Sequence, residues 1–308
     1  MKYPCVVNWR KWLFILLVLP IARLPERLRY LLSDSLAWLL RSVIKYRRKV
    51  IDDNLLIAFP EKPLKELRQI RDKFYTHFTD IALEQTWLLT ASKEQLLAKS
   101  KLVNPEVMDK FAKAGKSVML AAGHHNNYEM GAASIAMQIP MPISVIYAPL
   151  ANPYFDQRIR ETRGKFGLAL WPRGETSARA KTWSEKYEAF SIGFGFDQSP
   201  HSGKRKYWMP FFGRMTAMAT GLESYSRKYD AAVIYIYVVR ERRGQYKLIM
   251  QEVTADANSE PDGAILAKAS AMLEEVIRKD PVGWLWSHRR WKLDAEKHQL
   301  DTDTFLKQ

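Results

Sequence analysis

The sequence predicts an α/β fold whose mixed, mostly parallel sheet is flanked by helices. Two observations carry that prediction. From residue 117 onward, short apolar runs of strand length alternate with longer stretches of helical periodicity. The last two runs, 232–240 and 246–253, are separated only by a short segment around Glu241-Arg242-Arg243-Gly244, a hairpin spacing that turns one strand against its parallel neighbours.

The chain opens with an apolar run at 12–22, preceded by Arg10 and Lys11 and followed by Arg23, Arg27 and Arg29. Its eleven residues fall short of the roughly 20 that cross a hydrocarbon core, and Pro20 and Pro25 interrupt a helix. No small-residue cleavage site follows, so it does not read as a signal peptide either. A second apolar stretch at 31–44 has helical spacing. Together they read as an interfacial anchor, with Trp12 and Trp38 at headgroup level and arginines facing anionic lipid; two helices packed on the core are the alternative. The organisation expected is therefore a membrane-associated N-terminal helix over 1–29 and a catalytic domain over 30–308. After Tyr46-Arg47-Arg48-Lys49 a helix runs to Ala58 and is stopped by Pro60 and Pro63, and 64–89 reads as a long amphipathic helix. Strands follow at 117–122, 143–147, 168–171, 190–196, 232–240 and 246–253. Helices are expected at 130–138, 153–166, 217–229 and 264–279. The sequence contains no internal repeat, low-complexity segment or glycine-rich phosphate loop; Gly193-x-Gly195 lies within a strand-like run.

A formal charge of +15 favours an anionic partner: nucleic acid, anionic lipid, a phosphorylated substrate or an acidic carrier protein. Basic residues are spread along the chain and no nucleic-acid-binding motif occurs, which argues against nucleic acid. The single cysteine, Cys5, excludes an internal disulfide and a thiolate metal cluster, so a reducing compartment is expected. Local positive charge at Lys204-Arg205-Lys206 and at Arg240, Arg242 and Arg243 suits a carrier or a membrane, with a solvated loop as the alternative.

The residues that carry chemistry lie in Gly123-His124-His125-Asn126-Asn127-Tyr128-Glu129, between a strand and a helix of small residues. A histidine at a strand end can act as general base because its ordinary pKa of about 6.5 lets it take and return a proton near neutrality. Glu129 is the carboxylate expected to orient it. Residues five apart lie about 140° around a helix axis, so the pair can meet only if His124 is on the loop and Glu129 on the first helical turn. Asn127 is placed to cap that helix.

Gly123-His124-x-x-Asn127-x-Glu129 resembles the H-x4-D/E signature of glycerolipid acyltransferases, in the form used by the bacterial lipid A late acyltransferases. Further blocks match in order: Asn152-Pro153 through Asp156 to Arg163, Asp197-Gln198-Ser199-Pro200, and Pro210-Phe211-Phe212-Gly213 with Thr216 and Thr220-Gly221. Near the end, Pro281-x-x-Trp284-x-Trp286-x-His288-Arg289-Arg290-Trp291-Lys292 is similar to the closing motif of that family, and Arg48 to Asn54 with Phe59-Pro60 to the stretch after its anchor. Two departures are Tyr128, where relatives often carry Trp, and His125-Asn126 in place of the usual pair.

The resemblance implies a glycerolipid acyltransferase-like fold and a lipid A acyltransferase in which His124 and Glu129 activate an acceptor hydroxyl against an acyl thioester. Acyl carrier protein or coenzyme A is implied as the donor's carrier, used as co-substrate, with no cofactor and no metal. It implies substrate-binding roles for Arg163, for Arg160 on the same helical face, for Asp197, and for Asn127, whose neighbouring amides are candidate oxyanion donors; surface arginines and a strand-end carboxylate are the plainer alternatives. Trp284 and Trp286 read as core or interface aromatics, while Arg289 and Arg290 read either as contacts to anionic lipid or carrier or as a helix-end charge pair. The expected place is the cytoplasmic face of a bacterial inner membrane, with an anionic lipid or glycolipid acceptor. Two other readings compete: acylation of a lysophospholipid or aminolipid, and metal-dependent hydrolysis, for which no ligand spacing such as H-E-x-x-H occurs.

Overall fold

Strand β2 (Val118–Ala122) is flanked on both sides by parallel partners in the computed structural model, which describes residues 14–200 and 206–293. Its sheet contains β1 (Ser100–Leu102), β3 (Ile143–Tyr147), β4 (Ala169–Pro172), β5 (Ser191–Gly195), β8 (Ala232–Arg242) and β9 (Gln245–Thr254), in the order β1-β9-β8-β2-β5-β3-β4. Only β8 and β9 pair antiparallel; β1 pairs parallel with β9, and the remaining neighbours are parallel. The expected mixed, mostly parallel sheet is present, and the hairpin that makes it mixed is the one spaced by Glu241 to Gly244.

Alternation along the central strands divides the core in two. Met119 and Ala121 of β2 and Val233 and Tyr235 of β8 face one apolar cluster; Val118, Leu120, Ala232, Ile234 and Ile236 face the other. Both faces are covered, which is why these strands read as unbroken apolar runs. Helix α11 (Ala264–Lys279) contributes Ile265, Leu266, Ala269, Leu273 and Ile277 to the first cluster, spaced by one helical turn and all fully buried. Met108 and Phe111 of α6 (Glu106–Lys113) belong to the second.

The N-terminal part is packed onto the body. A π-helical turn at Phe14–Val18 leads into α1 (Leu19–Ala22), then α2 (Glu26–Trp38) and a second π turn at Leu39–Val43. Helix α3 (Arg48–Ala58) precedes α4 (Leu64–Trp87), against which α2 lies. Between α2, α4 and the β8–β9 hairpin runs a buried polar seam. Ser33 donates to Asp80 at 2.6 Å, and the fully buried Asp80 also accepts from Arg240 at 2.7 Å and from Arg243 at 2.6 Å. Arg243 reaches Asp34 as well, at 2.7 Å. This corrects the reading of Arg240 and Arg243 as free positive charge: a buried carboxylate requires such partners. Of that reading's other site, Lys204 and Arg205 lie outside the described residues.

The expected boundary at 29/30 falls inside α2. Arg29, expected to face lipid, is buried; it donates to the Leu24 carbonyl at 3.0 Å and stacks over Trp87. Arg23 and Arg27 are exposed, as is Trp38 at 57%. Arg10, Lys11 and Trp12 lie outside the described residues. Among the described residues no helix is long and apolar enough to cross a membrane.

One predicted helix is shorter than its pattern. Residues 217–219 belong to β7 (Arg214–Ala219), which pairs antiparallel with β6 (Lys206–Phe211) in a separate hairpin, and α10 spans only Gly221–Lys228. The two-residue connection Phe212-Gly213 has φ of 53° and 68°, the left-handed pair that tight hairpins use. Phenylalanine there gives no turn signal. The remaining elements are α5 (Lys93–Lys99), α7 (Tyr128–Ile135), α8 (Pro153–Gly164) and α9 (Thr176–Lys186).

Candidate active site

His124 sits where β2 ends and the chain turns into α7, and its side chain is 21% exposed. The turn is held from both sides. Asn126 adopts φ of 52°, its backbone N–H donates to the Gly283 carbonyl at 2.8 Å, and Leu285 N–H donates to the His124 carbonyl at 3.1 Å. Asn127 caps α7, its Oδ1 accepting from Met130 N–H at 2.9 Å. The cap expected from sequence is there, but the other half of the amide donates to Glu84, so Asn127 faces protein on both sides. Because the Asn126 amide is engaged, it drops out of the helix-start amides that the sequence offered as candidate oxyanion donors.

The carboxylate on the His124 ring belongs to Asp197. Its Oδ1 accepts from Nδ1 at 2.6 Å, and its Oδ2 accepts from the His124 backbone N–H at 2.8 Å and from Trp284 Nε1–H at 2.9 Å. Asp197 is 2% exposed and follows β5, which pairs directly with β2. A carboxylate accepting at Nδ1 puts the proton there and leaves Nε2 with its lone pair, onto which Gln198 Nε2 donates at 3.1 Å. Glu129 has a different partner: it forms an ion pair with Arg163 of α8, both side chains being largely buried. The sequence reading of Glu129 as the group that orients His124 is therefore corrected. Residue 129 lies on the first turn of α7, as that reading required, but its carboxylate is turned to α8, and parallel strand pairing brings Asp197 to the ring instead.

Burial alone would favour the neutral ring, yet the charge and hydrogen bond of Asp197, with Glu129 further off, hold the His124 pKa above the ordinary histidine value. Burial would likewise push Asp197 up. The imidazole, the His124 amide and Trp284 outweigh it and hold the carboxyl well below its usual range. His288 behaves oppositely: burial drops it to about 4, and its Nε2 accepts from Ser199 N–H at 3.0 Å as a neutral ring.

Two glycines make room. A methyl group at Gly195 would stand 3.0 Å from His124 Cε1, and one at Gly193 would stand 2.9 Å from Val145 Cγ1. Gly195 therefore seats the ring against β5, while Gly193 makes room for Val145 of β3. Tyr128 closes the other side, edge-on to the imidazole with centroids 4.7 Å apart.

Two apolar spaces adjoin the site. A groove ends at Glu129 and Arg163 and is walled by Phe14, Val18, Leu88, Leu89, Phe155 and Ile159. A second, smaller space lies beneath Tyr128 and Gly123, between α7 and the sheet. Arg160, expected beside Arg163, is exposed on α8 and does not join the Glu129 pair; Arg158 is bonded to Tyr154 and Glu161 on the groove wall.

The closing segment contributes more than its aromatic character suggested. Trp284 holds Asp197, and Arg290 is buried, donating to the Ala217 carbonyl at 2.9 Å, its pKa brought down to about 10 by that burial. Its side chain is turned into the protein rather than onto the surface where a lipid or carrier would be met. Asn54 donates to the Trp286 and His288 carbonyls at 2.7 Å each, joining the stretch after the N-terminal helices to the closing segment. Trp284 and Gln198 gave no separate sequence signal, since an indole reads first as core and an amide after a strand as a turn. Among the described residues no three His, Cys, Asp or Glu side chains gather in a way that could hold a metal ion.

The sequence pattern of the family described as "Bacterial lipid A biosynthesis acyltransferase" matches residues 1–293. A lipid A biosynthesis acyltransferase of Haemophilus influenzae is 24% identical over 284 residues, covering 90% of this chain and 86% of the relative. The lipid A biosynthesis lauroyltransferase of Escherichia coli K12 is 24% identical over 291 residues, 94% of this chain and 93% of its own length. The palmitoleoyltransferase of the same organism is 24% identical over 294 residues, 92% and 91% of the two chains.

The raised His124 and lowered Asp197 values fix the sign of their contribution to stability. Asp197 stabilises the fold above the unfolded carboxyl value of about 4, and the raised imidazole does so fully below about 6.5, fading as pH climbs through its folded value. In a histidine NMR titration His124 is expected to titrate above the ordinary histidine value, and Asp197→Asn to move its midpoint down. A parent midpoint at or below the ordinary value contradicts the electrostatics described.

Proposed function

The chain belongs to the bacterial lipid A biosynthesis acyltransferase family, and from that membership and the geometry around His124 we propose how it carries out acyl transfer. The enzyme is an acyltransferase. In our reading it moves a fatty acyl chain from a thioester of acyl carrier protein, or of coenzyme A, to a hydroxyl of a lipid A precursor. The observation that carries the mechanism is the 2.6 Å hydrogen bond from His124 Nδ1 to the buried Asp197, which leaves the lone pair on Nε2 to act as base.

An alcohol with a pKa far above neutrality needs a base before it attacks a carbonyl. His124 Nε2 takes the hydroxyl proton as the oxygen attacks the thioester carbon, and Asp197 stabilises the imidazolium that results. The tetrahedral intermediate then collapses, the C–S bond breaks, and the proton on Nε2 goes to the departing sulfur. Gln198, which lies on Nε2, gives way to the acceptor hydroxyl when the substrate binds.

Glu129 and Arg163 have a binding role in this proposal. Arg163 is placed to hold a phosphate of the acceptor or of the donor's pantetheine arm, and Glu129 keeps its guanidinium oriented at the mouth of the apolar groove. The groove offers a hydrocarbon chain a mostly apolar wall that begins beside those polar groups. Exposed Arg160 and Arg158 on α8 suit the acidic carrier.

Membrane association is supported by the exposed Leu16, Leu17, Leu28, Leu31, Trp38, Val43 and Ile44, with Arg23, Arg27 and Lys45 among them. Apolar side chains beside basic ones are what an interfacial surface on an anionic leaflet requires. We assign this surface to the cytoplasmic face of the inner membrane, where a carrier thioester is available.

Mass spectrometry of lipids from a deletion strain is expected to reveal a lipid A precursor lacking one acyl chain, restored by the parent gene. His124→Ala should not restore it, Asp197→Asn should lower transfer about 1000-fold, and Glu129→Gln should raise the acceptor KM more than it lowers kcat. An intact lipid A profile in the deletion strain, or full restoration by His124→Ala, overturns the proposal. For the surface, Leu31→Glu with Trp38→Glu should cut sedimentation with anionic vesicles about tenfold while transfer to a detergent-dispersed acceptor persists. Unchanged sedimentation would move the anchor elsewhere.

A further inference from the structure

Glu84 of α4 is 1% exposed and its nearest partners come from three other parts of the chain. Its Oε1 accepts from Tyr30 Oη–H of α2 at 2.7 Å, while its Oε2 accepts from Tyr246 Oη–H of β9 at 2.7 Å and from Asn127 Nδ2–H at 2.6 Å. Asn127 is itself wholly buried, and its Oδ1 is the cap on Met130 N–H. The chain Glu84–Asn127–Met130 therefore determines which way the Asn127 amide faces and where α7 begins, at Tyr128, four residues after His124. Asp80 lies one turn before Glu84 with its own partners, Arg240 and Arg243.

A buried carboxylate in a core is costly to retain without a role, and three apolar side chains would fill this space at less cost. We propose that Glu84 is a positioning residue for acyl transfer: through Asn127 it holds the His124–Asn127 turn in the register that aims His124 Nε2 at the acceptor. Tyr30 and Tyr246 supply the donors that keep the carboxylate in place, so α2 and β9 both bear on the turn. None of the three touches the reacting atoms. The inference rests on the proposed role of His124 and adds to it a cause for the ring's aim.

The test is an exchange of amide and carboxylate between the two partners, made in the full-length chain. Asn127→Asp alone sets two carboxylates against each other and is expected to lower kcat about a hundredfold, because a small displacement of the base is enough for such a loss. Adding Glu84→Gln places an amide at position 84 that donates to the new carboxylate, which still caps α7, and kcat should return to within about threefold of the parent. Glu84→Gln alone weakens three charge-assisted hydrogen bonds and should lower kcat about fivefold with KM unchanged. Rates are measured with lauroyl-charged acyl carrier protein and precursor lipid from the deletion strain, and scaled to the folded fraction.

Amide hydrogen exchange at Met130 needs no substrate. It should quicken in both single variants and slow again in the exchange pair. His124→Ala separates the two claims: if it remains active, the acyl-transfer mechanism falls. If it is inactive but the folded Glu84→Gln variant keeps the parent's kcat and Met130 exchange, the positioning role falls. Should Asn127→Asp fail to fold, a folded exchange pair with near-parent kcat supports the proposal, and a folded pair as slow as His124→Ala overturns it. Where neither folds, Glu84→Gln decides.

Discussion

The hydrogen bond between His124 and Asp197 is the interaction on which the site depends. A carboxylate that is 2% exposed must be given donors, and it receives them from the imidazole, from the amide of the same histidine and from the Trp284 indole. These donors come from β2 and from the closing segment, and Asp197 itself follows β5. The acid therefore ties two adjacent parallel strands and the C-terminal part of the chain into one unit. Parallel pairing of β2 with β5 sets the two strand ends side by side, which is the arrangement that puts chemistry at the carboxyl ends of an α/β sheet. Gly195 then follows from the same constraint, since a side chain there would meet the ring at 3.0 Å.

Much of this was legible in the sequence, because it depends on local patterns. The apolar runs became β2, β3, β5, β8 and β9 with small changes at their ends, and the 264–279 stretch became α11 without change. The histidine on a loop after a strand, the asparagine cap and Glu129 on the first turn also follow from adjacent residues. What was not legible depends on long-range pairing. Asp197 lies 73 residues from His124 and reaches it only through strand order, so the nearer Glu129 looked like the partner. Arg240 and Arg243 read as surface charge because the carboxylate they meet, Asp80, is on another element. Trp284 and Arg290 read as an ordinary aromatic and an ordinary surface charge, and only tertiary packing gives them their partners.

The same contrast explains how two acids share one short region. Asp197 is held by neutral and cationic donors and points at Nδ1, whereas Glu129 meets the guanidinium of Arg163 at the end of an apolar groove. One environment suits charge developing on an imidazole, and the other suits a fixed anion-binding cation. In the proposed reaction these are separate tasks, base orientation and substrate holding, and their separation lets hydrocarbon and phosphate lie on one side of the ring while the proton is handled on the other. Leu28, Leu31 and Trp38 of α2, which the proposal turns toward lipid, come shortly after the Phe14–Val18 turn that meets the groove.

The pH dependence of kcat/KM for acyl transfer tests the central claim most directly. With Asp197 raising the imidazole, the parent's activity should climb with pH through a midpoint above about 6.5, and Asp197→Asn should shift that limb to lower pH as its plateau falls. A limb that stays in place when Asp197 is replaced, with the plateau unchanged, would contradict the account.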